Sequence, residues 1–542
     1  MKNRSYPYYE MPEISTLREL VEFGKENRGD EPFLFNDDNI SISSSDFSDF
    51  NKELGTFILN KGLNKDNIGL IGENTSEWYI CFFSIINSGN IVVPLDRNLS
   101  DPEKADLVDR CKCKAIFYSK KEAKFVETLN EEIKRYPLEE IYQFREEGKK
   151  RIESGDDSYD RNVIDKDDLA AIVFTSGTSG DMKGVMLSHL NLMSDTVSCC
   201  KHIVAHDTQI FLPLHHTFPW ASAMFAIILC GGTVHFSSNM RRIMADIQTN
   251  KPQNLSAVPM MVEMFHNGIW TKARKNNQEN KLKFGLRLSR LLMKLGIDKR
   301  REIFKEIHET FGGNLEVIIC GGATIDKKIE REFYDFGIQV LTGYGITECS
   351  PVVAVNRPND FRFGSVGKVL PCNKVRIADP DKDGIGEILV SGTNVMKGYY
   401  NDPEATAEAF EGEWFKTGDY GMFDKDGFLY ITGRKKNLII LSNGENVSPE
   451  GIEIELMRLP YVKEVVVYEE DGDIVGEFYL DEENYSEAKT MLKNDIDYYN
   501  HSVPKHRNLN RFKIRDIPFI KTTTMKIKRY LIEKNDTKKE DK

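Results

Sequence analysis

The strongest constraint on this chain is an alternation: short apolar runs are each followed by a segment whose apolar residues recur at helical spacing. Between Thr16 and Val92 the helical segments LRELVEF and DFNKELGTFILNKG alternate with the strand-like runs NIGLIG and NIVVPL. From Leu169 to Asn359 the pattern returns, with AAIVF, QIFLPL, TVHF, LEVIIC and IQVL as strands. Runs apolar on both faces must be covered on both, so each block predicts a largely parallel sheet between helices. Beyond Phe361 short strands (KVRIAD, GEILVSG, GFLYITG) separated by Gly, Asp and Asn turns predict a small β-rich subdomain. The expected fold class is α/β. A large N-terminal domain, 1–435, would hold two α/β subdomains and the β-rich subdomain, and a small mobile α+β C-terminal domain would occupy 436–542.

Charge and cysteine content narrow the function classes. Lys and Arg number 73 against 85 Asp and Glu, a balance of 73 − 85 = −12, which opposes non-specific binding to nucleic acid or to an anionic membrane. No nucleic-acid partner is expected, and membrane contact would need a local basic patch. The nine cysteines are odd in number and scattered, and MKNRSYPYYE lacks an apolar signal region, so a reducing, cytoplasmic location without disulfides is expected. Cys111 and Cys113 form a CxC with no second pair at zinc spacing. DPDKDG superficially resembles a calcium loop, but the twelfth position counted from Asp379 is Val390 instead of Glu, which makes it a turn. The most apolar stretch, Trp220 to Cys230, is shorter than the roughly 20 residues of a membrane helix.

The sharpest local signal is Thr175 to Lys183, TSGTSGDMK, directly after the strand-like AAIVF. Small hydroxyl residues and glycines let backbone N–H groups approach an anion, and Lys183 adds a positive charge. Met182 stands where the P-loop pattern GxxxxGK requires Gly, which disfavours an ordinary P-loop kinase or GTPase. Read alone, the segment is either an anion cradle or a plain Ser/Gly turn. It is followed in order by TGYGITE (Thr342–Glu348), KTGDYG (Lys416–Gly421), TGRKKN (Thr432–Asn437) and KTTTMK (Lys521–Lys526). This succession resembles the adenylate-forming superfamily of acyl-CoA synthetases, nonribosomal adenylation domains and luciferases, from Thr16 to Ile532.

The resemblance implies a two-step reaction. A carboxylate attacks the α-phosphorus of ATP to give an acyl-adenylate and pyrophosphate, and a thiol then displaces AMP. It assigns Thr175, Ser176, Gly177, Thr178, Ser179, Gly180 and Lys183 to the β- and γ-phosphates. Gly321, Gly322 and Ala323 would lie against adenine with Tyr344 stacked on it, and Thr347 would bond a phosphate oxygen beside Gly345 on the substrate side. Glu348 would hold Mg²⁺, Asp419 both ribose hydroxyls, and Arg434 the ribose and phosphate. Lys436 would be the hinge on which the small domain swings. Lys526 would bridge the attacking carboxylate and the α-phosphate; many relatives have Gly before this lysine, where this chain has Met525. After the swing, SNGENVSPEGIE (Ser442–Glu453) would face the nucleotide and pantetheine channel, Gly444 allowing close approach.

His216 and Trp220 in FLPLHHTFPW match a substrate-side histidine and an aromatic gate of the long-chain acyl-CoA synthetase branch, although a His pair before an aromatic-rich run can also be plain core. TTTMKIKR and a long cationic insertion after Pro259 point to the same branch. That insertion carries a run of lysines and arginines from Lys272 to Lys305. Within it Phe284, Leu288, Leu291, Leu292 and Leu295 share a helical face opposite Arg287, Arg290 and Lys294, the profile of an interfacial helix or of one docked on its own domain. The implied activity is an ATP- and Mg²⁺-dependent long-chain fatty acid:CoA ligase; peripheral membrane contact through residues 270–305 is a hypothesis that the interfacial profile leaves open beside the docked reading. An acyl carrier protein as the thiol acceptor, and a non-catalytic nucleotide- or acyl-binding relative, stay open.

Overall fold

The computed structural model describes residues 7–36, 39–176, 182–237, 239–440, 446–482, 485–522, 526–529, 531 and 532. They fall into two compact units, Met1–Lys374 with Ser391–Glu413, and Val375–Val390 with Trp414–Lys542.

Among its described residues the first unit holds two sheets. One runs in the order Gly398–Tyr399, Met182–Ser188, Leu169–Ser176, Ile91–Pro94, Asn67–Ile71, Ala115–Tyr118, Lys134–Pro137. Its last five strands pair in parallel, and the first two are added antiparallel. The other runs Lys368–Val369, Val352–Val355, Gln339–Gly345, Val317–Cys320, Asn254–Ala257, Thr208–Ile210, Val234–Phe236, Pro32–Phe35, Ser41–Ser43, parallel except at its two ends. The apolar runs read from the sequence form the parallel centres of both sheets.

Helix Ser76–Asn87, SEWYICFFSIIN, lies between the sheets. Thr75 caps it by accepting from the Trp78 N–H, and every residue but Glu77 is buried. A helix apolar all round has no solvent face to offer. It packs on the strands at 67–71 and 91–94. Its Tyr79 ring lies 6.2 Å from Phe33 and 6.0 Å from Phe236 on strands of the other sheet. Each large side chain so buried contributes about 1.5–3 kcal/mol.

In the second unit, most of strand Gly386–Gly392 pairs antiparallel with Trp414–Phe423, which pairs with Leu429–Arg434. Strand Val462–Glu470 pairs antiparallel with Asp473–Leu480, and Arg511–Arg515 adds in parallel. Helices Pro449–Leu456 and Ala488–Ser502 cover them around Ile452, Tyr461, Phe478 and Leu492. The β-rich subdomain therefore groups with the C-terminal residues. The reason is a close approach: a Cβ on Gly433 would stand 2.7 Å from Ser448 Oγ, so the strand and the start of the following helix pack with almost no gap.

The DPDKDG segment is a turn, with the Asp381 carboxylate accepting from the backbone N–H groups of Asp383 and Ile385. Cys111 and Cys113 are buried thiols. Among the described residues no helix is long and apolar enough to cross a membrane.

Candidate functional site

In the first unit the predicted nucleotide residues gather at strand ends. Leu169–Ser176 and Met182–Ser188 form a hairpin in which Thr175 faces Lys183 and Ser176 faces Met182. Gly177, Thr178, Ser179 and Gly180 lie outside the described residues. Lys183 Nζ sits 4.9 Å from the centroid of the Tyr399 ring, a cation over a π face. Strand Gly398–Tyr399 brings that ring there by pairing with Met182–Ser188, Tyr399 opposite Val185. At its other end Tyr399 donates its hydroxyl proton to Glu348 Oε1 at 3.0 Å. Burial, and then the Glu348 charge, push the Tyr399 phenol far above its ordinary value, so it stays a donor.

Glu348 stands in the single turn Thr347–Cys349 just beyond strand Gln339–Gly345. That turn is tightly specified. A Cβ on Gly345 would lie 2.2 Å from the Pro351 carbonyl oxygen, so only glycine fits. Ile346 N–H donates to the same oxygen at 2.8 Å, and Met396 N–H donates to the Glu348 carbonyl at 2.8 Å. Beneath it the fully buried Asp195 carboxylate accepts from Val352 N–H and Asn394 Nδ2, both at 3.0 Å, and burial raises its pKa well above the usual carboxylate range. Tyr344 is buried, opposite Ala354 on the neighbouring strand.

Gly321, Gly322 and Ala323 follow Val317–Cys320, whose Cys320 is registered with Thr342 on the strand leading to Glu348. A Cβ on Gly321 would press to 3.3 Å on the Phe218 ring. Gly322 has φ +91 and, like Ala323, is exposed, which leaves open backbone at the carboxyl edge of a parallel sheet, where α/β folds bind ligands.

On the acyl side, His216 is half-buried, its ring 4.2 Å from that of His215. Burial, and then Arg97, lower His215 to about 3, so it is neutral near pH 7. Trp220 is fully enclosed, 4.8 Å from the Phe82 ring, with its Nε1–H donating to the Leu214 carbonyl at 2.7 Å. The gate residue of the sequence reading is thus packed as core here. It opens a π-helical segment, Trp220–Phe225, a backbone form found disproportionately at functional sites.

Helix Glu279–Lys294 docks through Gly285, Leu286 and Ser289, not through its leucine stripe. Ser289 Oγ donates to the Asp335 carbonyl at 3.0 Å and Arg290 binds the Asp335 carboxylate at 2.6 Å. Phe284, Leu291 and Leu295 are left 65%, 56% and 67% exposed. Much of the positive charge is matched locally, as in Lys283–Glu279 at 2.7 Å, Lys299–Glu302 at 2.6 Å and Arg300–Asp298 at 2.7 Å.

In the second unit, folding collects three predicted residues from distant motifs. Asp419 and Arg434 are registered across antiparallel strands and form an ion pair at 2.8 Å. Asp419 is buried, and its backbone N–H donates to Thr417 Oγ1 at 3.0 Å. Lys526 stands next to Ile527, which bridges Lys521, and its N–H donates to Thr522 Oγ1 at 3.1 Å. Loss of surrounding water, then Arg434, lowers the Lys526 ammonium from the ordinary lysine value, while Asp419 pulls it back. The residue keeps exposed surface, so the amine is crowded without being sealed. Lys436 sits in the turn Lys435–Asn437, where its neighbour Lys435 binds Glu387 at 2.7 Å. Gly444 and Met525 lie outside the described residues.

Sequence reasoning missed Tyr399 and Asp195. The signal for Tyr399 was GYYN, an aromatic pair after a glycine that no motif had absorbed; Asp195 sits mid-helix and carries no local signature.

Mg²⁺ is commonly held by one or two carboxylates together with substrate phosphates. A half-buried Glu348, joined through Tyr399 to the strand that carries Lys183, fits that mode. Among the described residues no group of three or more His, Cys, Asp or Glu makes an all-protein metal cage.

The chain matches the AMP-binding enzyme family over residues 22–400. It is 29% identical to a long-chain-fatty-acid–CoA ligase of Cavia porcellus, over 79% of this chain and 68% of that one. Against a long-chain-fatty-acid–CoA ligase of Mycobacterium bovis the identity is 27%, over 86% of each. Its fold is similar to that of an anthranilate CoA ligase solved with anthranoyl-AMP, with a TM-score of 0.76 over 98% of both chains at 18% identity.

Proposed function

The chain belongs to the AMP-binding enzyme family, and from that premise we propose that it is a long-chain fatty acid:CoA ligase. It activates the acid as an acyl-adenylate with release of pyrophosphate, then passes the acyl group to CoA with release of AMP. The observation that carries this reading is the alignment with long-chain-fatty-acid–CoA ligases across 79% and 86% of the chain.

A carboxylate is a poor acyl donor until one of its oxygens becomes a good leaving group, so the residues must position two anions and stabilise the charge that builds between them. The Thr175–Lys183 segment cradles the β- and γ-phosphates, and Lys183 clamps the departing pyrophosphate. Gly322, Ala323 and Tyr344 take adenine, Thr347 a phosphate oxygen, and Asp419 the ribose hydroxyls, with Arg434 beside them. Glu348 would hold Mg²⁺, which supplies charge neutralisation on the phosphates. Lys526 bridges the attacking oxygen and the α-phosphate, and Lys436 is the pivot of the small domain.

His216 and Gly345 line the acid side, with Trp220 as the gate in its closed form. A Trp220→Ala variant that melts early while taking up acids of every length as the parent does would make Trp220 core only. The odd number and scatter of the nine cysteines support a reducing, cytoplasmic setting. The exposed Phe284, Leu291 and Leu295, with Arg287 and Lys294 on the same helix, support peripheral contact with an anionic membrane. Co-sedimentation with anionic liposomes at low salt, weakened by Leu291→Glu, is expected; failure of the parent to sediment removes that contact.

The deciding experiment is acid-dependent exchange of labelled pyrophosphate into ATP, from acetate to oleate, without any thiol. Exchange rising with chain length is expected. Exchange confined to short, aromatic or amino acids would keep the chemistry and overturn the acyl class. No exchange, in folded protein that binds ATP, would leave a binding-only relative. Acceptance of a carrier-protein thiol in place of CoA would correct the second step.

A further inference from the structure

Tyr399 belongs to none of the five motifs, yet it touches both charged ends of the candidate phosphate site. Its ring carries Lys183 Nζ at 4.9 Å and its hydroxyl donates to Glu348 Oε1 at 3.0 Å. The ring is itself held firmly. Tyr399 N–H donates to Thr406 Oγ1 at 2.9 Å. The next residue's N–H donates to the Gly184 carbonyl at 2.7 Å, beside Lys183. Gly398 has φ +135, and a Cβ there would stand 2.9 Å from Thr406, so the strand enters by a path only glycine takes. An ammonium and a carboxylate left close together away from bulk water attract one another strongly. A nucleotide entering between charges that had collapsed together would have to separate them first.

Resting on the functional reading above, we infer that Tyr399 is a positioning residue of the nucleotide site, a spacer whose hydroxyl fixes the Glu348 carboxylate and whose ring face fixes the Lys183 ammonium. Metal ligand and phosphate clamp are thereby set at a constant separation before nucleotide arrives. Residues behind a metal ligand commonly change metal affinity 10- to 100-fold when removed.

The test uses the full chain with Mn²⁺ as the metal probe, its binding followed by electron paramagnetic resonance in the presence of a non-hydrolysable ATP analogue. Tyr399→Phe keeps the ring and loses the hydroxyl. It is expected to weaken Mn²⁺ binding by about tenfold or more, with melting temperature and metal-free analogue affinity unchanged. The effect should vanish when Glu348 is already Gln, because the hydroxyl acts through that carboxylate. Tyr399→Leu removes the ring as well and is expected to weaken pyrophosphate binding, which Tyr399→Phe leaves intact. Parent-like Mn²⁺ affinity in folded Tyr399→Phe, or the same loss with and without Glu348, overturns the inference. A parent that binds no metal–nucleotide and exchanges no pyrophosphate overturns the functional reading itself, and this inference with it.

Discussion

In the first unit a lysine and a glutamate are each held by one tyrosine, Lys183 on the ring and Glu348 at the hydroxyl. In the second, Arg434 binds Asp419 directly at 2.8 Å and Lys526 is crowded beside them, its ammonium disfavoured. The first cluster is preorganised by a neutral spacer rooted in sheet hydrogen bonds. The second neutralises its carboxylate with its own arginine and leaves the surplus charge on a lysine beside them. If the first cluster receives a polyphosphate, as proposed, its cation and carboxylate are already held apart by the tyrosine. If Lys526 delivers its charge during the reaction, as proposed, it does so from beside the Arg434 cation.

That contrast breaks most readily at Lys526. Lys526→Ala is expected to lower adenylation about 10²- to 10³-fold while leaving ATP binding largely intact, read by pyrophosphate exchange beside equilibrium nucleotide binding; equal loss of both would make it a binding residue. Asp419→Asn removes a charged acceptor whose hydrogen bonds are worth about 1.5–3 kcal/mol each, so ATP affinity should fall on the order of 10²-fold if it takes both ribose hydroxyls. An unchanged affinity would leave Asp419 as a partner of Arg434 alone. Lys183→Ala is expected to weaken ATP and pyrophosphate binding by about tenfold, the scale of one charge-assisted hydrogen bond. A larger loss in turnover than in binding would make it a catalyst instead of a clamp.

The smallest effect is in pH. Lys526 has its folded pKa lowered, so its charge is lost at a lower pH than that of an ordinary lysine. The adenylation rate should therefore decline as pH rises through the lowered value, and Lys526→Ala should lack that alkaline limb. For stability the sign is opposite. Between the folded pKa and the unfolded one the unfolded chain binds the extra proton, so this group's destabilising contribution fades as pH rises across that window. A flat parent profile would remove the crowding from the comparison.

The parallel centres of both sheets were legible because LEVIIC, IQVL and AAIVF are apolar on both faces, and a strand covered twice leaves that mark. Strand Met182–Ser188 was absorbed into a loop motif, since its Lys183 and Gly184 break any apolar period. The spacing of Phe284, Leu291 and Leu295 was also legible, but not which side of the helix is covered: contact is made by Gly285 and Ser289, whose value lies in their small size. Five candidate residues were found by motif order. The link between Lys183 and Glu348 was not, because Tyr399 acts through one hydrogen bond and one ring face and leaves no spacing to read.

The helix Ser76–Asn87, enclosed on every side, also sets a timetable for synthesis. Its Phe82 and Phe83 rings are covered by Trp220 and Phe225, and Tyr79 by Phe236, all encoded far downstream. At the 5–20 residues per second of translation the ribosome needs on the order of ten seconds to deliver that cover. Until then an aromatic surface stands open on the nascent chain, a natural substrate for chaperones. Ribosome-bound chains halted near residue 200 should be cut by protease within this helix, and chains halted beyond residue 300 should be protected.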